Sequence, residues 1–277
     1  MDARPNQVFF PASFNELFST WSRFPEAVPY AGGTNIIGKQ GKNIISLPKI
    51  VLCMDKLEEM QRITRTEQYI EIGALVKLNR LIRLGKKVPE IIRICLENIA
   101  GVQLRNIATV GGNLCSADNL YDLSAPFTAL DAQYELRNAH RTRWVSASRF
   151  HSTEEHNVLE SQELLTRVRL PLHQWDYSIY KKFNTGHLQS NEVLVFLAKA
   201  QKTILTDIRV VYKANIILRD KNSEDILNGK NLPLSRRIAL DFIENWKIFL
   251  SDRDDVSDFS KNALLHNIKE NVFVLSE

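Results

Sequence analysis

The sequence predicts an α+β protein of two domains meeting near residue 170, and three observations carry that reading. Its 277 residues suffice for two ordinary hydrophobic cores. Helix-type and strand-type signals are mixed along the whole chain, with no internal repeat or low-complexity tract. After Phe150 the texture changes, and a strand-like stretch from Ser161 to Leu170 runs through Pro171 and Leu172 into a linker.

The elements follow in order. Val8-Phe9-Phe10 is a short apolar run. Ser13 and Glu16 form a capping box that opens a helix to about Phe24, with Phe14, Leu17, Phe18 and Trp21 on one face. Pro25 and Pro29 end it, and Val28-Pro29-Tyr30 leads into a glycine pair. Asn43 to Leu47 and Tyr69 to Ala74 read as strands. Leu78 to Leu84 and Pro89 to Ile99 read as helices, the second with proline in its first turn. A second glycine pair, Gly111-Gly112, precedes a helix over Asp122 to Leu130 and a strand over Gln133 to Arg137. Strand-like runs follow at Ser178–Phe183, Val193–Ala200 and Asn215–Leu218. Helices over Ser235 to Leu250 and Phe259 to Leu275 close the chain.

Composition excludes several classes. Apolar residues at 44% and charged residues at 25% are ordinary for a globular chain, not a disordered one. Lys+Arg 36 against Asp+Glu 32 leaves +4 without a basic block, which gives no footprint for nucleic acid or an anionic membrane. No apolar run approaches the ~20 residues of a membrane span, and MDARPNQVFF lacks the apolar core of a secretion signal, so a cytoplasmic protein is expected. Cys53, Cys95 and Cys115 are scattered, with no CxxC, and the six histidines form no HExxH. The chain is therefore expected to hold no metal of its own, and any redox centre must be organic or lie on a partner.

The chemistry concentrates in the glycine pairs. In Pro29-Tyr30-Ala31-Gly32-Gly33-Thr34-Asn35-Ile36, adjacent glycines let backbone N–H groups converge on a phosphate, and Thr34 and Asn35 add side-chain donors. The same dipeptide also serves as a plain turn. Gly33 with Gly38-Lys39 approaches a P-loop, but Gln40 stands where the Mg²⁺-binding hydroxyl belongs. The second stretch, Thr109-Val110-Gly111-Gly112-Asn113, is followed by Asp122, which could accept from a sugar hydroxyl or simply cap the next helix. Neither stretch has the G-x-G-x-x-G spacing of a Rossmann site.

Together, Ala31 to Asn35, Thr109 to Asn113 and the run from Ile107 to Leu136 resemble the FAD-binding medium subunits of molybdenum hydroxylases, the xanthine dehydrogenase and carbon monoxide dehydrogenase flavoproteins. The resemblance covers most of residues 5–183. It implies a two-subdomain FAD domain of the vanillyl-alcohol-oxidase-like type over residues 1–170, split near 56. A smaller α+β domain would follow over 171–277. It assigns Pro29 to Ile36 and Thr109 to Asn113 to the FAD diphosphate and Asp122 to the sugar portion. Ile99 and Leu165 would contact the flavin ring, with Lys181 close by. By themselves Ile99 and Leu165 are core-type residues and Lys181 a surface-type one. No catalytic side chain is required. Partners would carry [2Fe–2S] clusters and the molybdenum cofactor, with NAD⁺ or another acceptor taking the electrons. The sequence departs from the family pattern at Ala117-Asp118-Asn119, at Asn184 to His187 and at Asn191 to Ala200, near the ring and the acceptor. A stand-alone FAD reductase of related fold and a flavin-free scaffold are the rival readings.

Overall fold

The computed structural model describes residues 6–40, 46–116, 121–151, 158–183 and 192–276. In chain order the strands and helices are β1 (Gln7–Phe9), α1 (Phe14–Arg23), β2 (Val28–Tyr30), α2 (Thr34–Gly38), β3 (Ile50–Cys53), β4 (Ile63–Arg65), β5 (Tyr69–Gly73), α3 (Leu78–Arg83), α4 (Glu90–Glu97), α5 (Val102–Ile107), α6 (Val110–Leu114) and α7 (Ser124–Ala129). Then come β6 (Gln133–Arg137), β7 (Thr142–Ser146), α8 (Ala147–Phe150), β8 (Leu164–Pro171), β9 (Tyr177–Phe183), β10 (Glu192–Gln201), β11 (Ile204–Lys213), β12 (Ile217–Leu218), α9 (Lys221–Leu227), α10 (Arg236–Ser251) and α11 (Asp258–Val274).

The fold is α+β, and the described residues form three sheets. A parallel sheet in the order β1-β3-β2 takes up the first strands. A five-stranded antiparallel sheet, β4-β5-β8-β6-β7, follows, and a third, β12-β11-β10-β9, is also antiparallel. Ser13 caps the helix as expected: its Oγ accepts from the Glu16 amide, while the Glu16 carboxylate reaches back one residue further than in a standard capping box and accepts from the Ala12 amide at 2.8 Å. Phe14, Leu17, Phe18 and Trp21 are all buried.

The strand expected over Asn43 to Leu47 falls largely outside the described residues. Its last two residues, Ser46 and Leu47, are not in a strand, and the next described strand is β3. Its run Ile50-Val51-Leu52-Cys53 is flanked on both sides by parallel neighbours, the environment that selects continuous apolar sequence. The departures at 117–119 and 184–187 also lie outside the described residues.

Strand β10 is apolar on both faces, and each face meets a different core. Val193, Val195 and Leu197 pack with the core of the first two sheets, whereas Leu194, Phe196 and Ala198 pack with α10 and α11 around Trp246 and Phe242. The third sheet is thus a wall shared by both cores. A buried ion pair ties its far edge down, with Arg219 bonding Glu224 at 2.9 Å and Asp131 at 2.6 Å.

Candidate functional site

The two glycine pairs line one cleft. A Cβ on Gly32 would lie 2.2 Å from the Ile107 carbonyl oxygen, so only glycine lets the β2–α2 turn pack against the end of α5. Gly33 has φ +67, the left-handed region that favours glycine, and a Cβ there would strike the Tyr30 hydroxyl at 2.0 Å. Tyr121 Oη donates to Asn35 Oδ1 at 2.9 Å and braces the contact from a third segment.

The loops differ in what they offer a ligand. Gly33 caps α2 without any side-chain bond, and the first helical bond runs from the Ile37 amide to the Gly33 carbonyl. The amides of Thr34, Asn35 and Ile36 therefore have no acceptor within the helix. In the second loop the amides are engaged: Val110 donates to Val76, Gly111 to Ala74, Gly112 to Thr109 Oγ1 and Asn113 to the Thr109 carbonyl. That loop is a close-packed wall, with the Thr109 hydroxyl proton and the Asn113 amide NH₂ left as donors. A ring of amides from both loops, as expected from the sequence, is corrected to amides from one and side chains from the other.

On either side of this pinch lies a chamber. The first, about 330 Å³, is lined by Pro29, Ala31, Met54, Met60, Leu75, Leu164 and Leu165, with Ile36, Thr109 and Gly111 toward the pinch. Glu163 lines one wall with its side chain fully enclosed. Burial works against that carboxylate, but the Arg143 guanidinium, at 2.6 Å, holds its pKa below the usual range. Burial also pushes the Cys115 thiol up to about 12, so this cysteine stays protonated. The second chamber, about 280 Å³, is lined by Ile99, Leu104, Arg105, Asn113, Tyr121, Asp122 and Lys182. Thr34, Asn35 and Gly112 border both. These volumes sit at the lower edge of the range for small-molecule pockets.

Sequence reasoning placed some residues differently. Tyr30 and Val110 line neither chamber: the Tyr30 ring lies under Gly33, and Val110 is buried in the core. Asp122 does not cap α7. Its carboxylate receives Lys182 Nζ at 2.8 Å and Lys213 Nζ at 3.6 Å. Lys181 turns away and pairs with Glu270 of α11 at 3.7 Å. The cause is strand register. Lys182 and Lys213 flank Val193 in one row of the third sheet, on the face toward the first core, whereas Lys181 opposes Leu194 on the other face. Leu165 lines the first chamber and Ile99 the second. Reading from sequence missed Tyr121, Lys182, Lys213, Glu163 and the methionines; only the basic pair Lys181-Lys182 gave a signal, and its phase was open.

A glycine-pinched, two-chambered cleft with amide donors at the pinch and a cationic end defines a protein built for an extended dinucleotide cofactor. The chain belongs to the family described as FAD binding domain in molybdopterin dehydrogenase, which it matches over residues 4–173. It is 27% identical over 245 residues to xanthine dehydrogenase 2 of Arabidopsis thaliana, spanning 80% of this chain but only 18% of that protein. It is 27% identical to the carbon monoxide dehydrogenase medium chain of Afipia carboxidovorans, over 78% of this chain and 77% of the relative. The fold is that of a chain in carbon monoxide dehydrogenase from Hydrogenophaga pseudoflava, with a TM-score of 0.81, 19% identity, and coverage of 100% of this chain and 98% of that one. Among the described residues no helix is long and apolar enough to cross a membrane.

Proposed function

We propose that the chain is the FAD-binding subunit of a cytoplasmic molybdenum hydroxylase, relaying electrons from a partner's [2Fe–2S] clusters to NAD⁺ or another acceptor while a further partner holds the molybdenum cofactor. The observation that carries this is the pinch itself: a cradle that a Cβ at Gly32 would fill, opening on both sides into chambers of different chemistry. The relative named as the medium chain of carbon monoxide dehydrogenase supports the assignment of partners.

Bound FAD supplies one- and two-electron chemistry. The residues do the rest. The amides of Thr34 and Asn35, with Thr109 and Asn113, hold the diphosphate. The apolar first chamber takes the flat, neutral adenine, so that Leu165 packs on adenine and not on the flavin ring. The second chamber takes the ring beside Ile99, with Asp122 and Lys182 at its polar end. We place the domain boundary in the 172–176 connection between β8 and β9, where the second sheet ends and the third begins.

The test is direct. Purified chain should be yellow with one FAD per chain, and tagged chain should bring down an iron–sulfur and a molybdopterin protein from its source. A well-folded chain that takes up no FAD would end the proposal.

A further inference from the structure

The C-terminal end of α7 carries a residue that local chemistry argues against. The helix closes on paired bonds, from the Ala132 amide to the Phe127 carbonyl at 3.0 Å and from the Asp131 amide to the Thr128 carbonyl at 3.1 Å. Asp131 lies in the left-handed region with φ +52, at the position of this helix-ending motif that glycine normally fills. An acid is also the wrong charge beside the carbonyl end of a helix. What favours aspartate is the third sheet. Arg209 of β11 reaches Asp131 Oδ2 at 2.7 Å, and Arg219, just beyond β12, reaches Oδ1 at 2.6 Å. The same two Nη1 groups donate to α7 itself, Arg209 to the Ala129 carbonyl at 2.8 Å and Arg219 to the Thr128 carbonyl at 3.4 Å. Both guanidiniums are nearly enclosed, and each is steadied by a second carboxylate, Asp207 at 3.0 Å and Glu224 at 2.9 Å.

The other end of α7 meets the pinch. The Leu123 amide, one residue before the helix, donates to Asn113 Oδ1 at 3.3 Å and so fixes which end of that side chain is free to donate. Ser124 holds the Tyr121 carbonyl with its hydroxyl at 2.7 Å, and Tyr121 Oη in turn holds Asn35. All six residues of α7 are buried, against β10 and β11 among others, so the helix shifts as one close-packed piece. We infer that Asp131 is a positioning residue for the cofactor: gripped by Arg209 and Arg219, it sets how α7 seats on the third sheet, and α7 sets Asn113 and, through Tyr121, Asn35 at the diphosphate. The inference rests on the diphosphate placement proposed above. The two arginines thereby act on a cleft whose chambers they do not line.

The experiment titrates FAD into the cofactor-free full chain and its Asp131→Gly and Asp131→Asn variants. Glycine eases the left-handed turn while removing the carboxylate, and each arginine retains its second partner, so the fold should hold. If Asp131 served only to end the helix, Asp131→Gly would bind FAD like the wild type. Positioning predicts affinity roughly three- to thirtyfold weaker in both variants, the span of couplings carried through packed elements. The route is read in a chain already carrying Asn113→Ala and Tyr121→Phe, where Asp131→Gly should add less than about twofold, because the groups it positions are gone. An unchanged affinity for Asp131→Gly, or an equal loss in both backgrounds, overturns the inference and leaves the functional reading standing. Should Asp131→Gly not fold, Asp131→Asn decides by the same two outcomes. A wild-type chain that takes up no FAD refutes this and the functional reading together.

Discussion

Replacing Gly32 by alanine tests the pinch on which the cleft depends. The added Cβ would sit 2.2 Å from the Ile107 oxygen and 2.9 Å from its carbonyl carbon, both backbone atoms that cannot rotate aside. Reaching ordinary contact requires the loops to part by about 1 Å. Overpacking of this kind costs ~1–3 kcal/mol, so the melting temperature should drop by several degrees without loss of the fold. The effect on the ligand is larger than the effect on the fold. The same shift carries the Thr34 and Asn35 amides out of hydrogen-bond range, and each bond to a charged group is worth ~1.5–3 kcal/mol. FAD affinity, measured by calorimetric titration of the cofactor-free chain, should fall roughly ten- to a hundred-fold for one bond lost. Gly38→Ala is the control. A Cβ there meets nothing within 4 Å, so affinity should hold and α2 should gain ~0.5–1 kcal/mol. If Gly32→Ala binds FAD within about threefold of the parent, the loops do not form the diphosphate cradle.

Other expectations follow from the same geometry. Thr109→Ala removes the N-cap of α6 and a donor facing the cleft; it should cost ~1 kcal/mol in urea melts and weaken FAD, while Thr109→Ser should restore both. Glu224→Ala leaves Arg219, whose side chain is only 10% exposed, without its principal partner, and chemical denaturation should register a loss of ~3–5 kcal/mol. Because folding lowers the Lys213 pKa to about 8, the unfolded chain binds more protons than the folded one above that pH. The lysine's contribution to stability therefore rises as pH climbs from 8 toward its ordinary value. Cys95 and Cys115, whose thiols burial pushes up, act in the opposite direction above pH 9. The wild-type minus Lys213→Met difference in urea midpoints isolates the lysine, and a difference independent of pH contradicts its buried, depressed state.

How far the sequence could be read depended on whether a feature was local. The capping box at Ser13 and the long amphipathic helix α10 were legible because each is written within a few residues. The glycine pairs were legible as a meeting place because side-chain-free backbone is needed only where chains approach closely, as Gly32 does to Ile107. Strand β11 was not anticipated. It pairs with β10 through Lys202 and Thr203, without the glycine or asparagine that usually marks so short a turn. The exchange of Lys181 for Lys182 has the same origin. A strand's period of two says that neighbours face opposite ways, but only the register with β10 says which way. Lys213 was invisible for a harder reason, since nothing local distinguishes a lysine that will be enclosed from one that will be solvated.

The double-sided β10 has a bearing on how the molecule comes apart. The segment that matches the family ends at residue 173, yet one flank of its interior is furnished by Val193, Val195, Leu197 and Val211, which come later in the chain. A fragment cut there would emerge with a greasy gap where a partition should stand. The two halves are thus co-dependent like rooms sharing a party wall: they should melt in a single transition, and limited proteolysis should yield no durable N-terminal core.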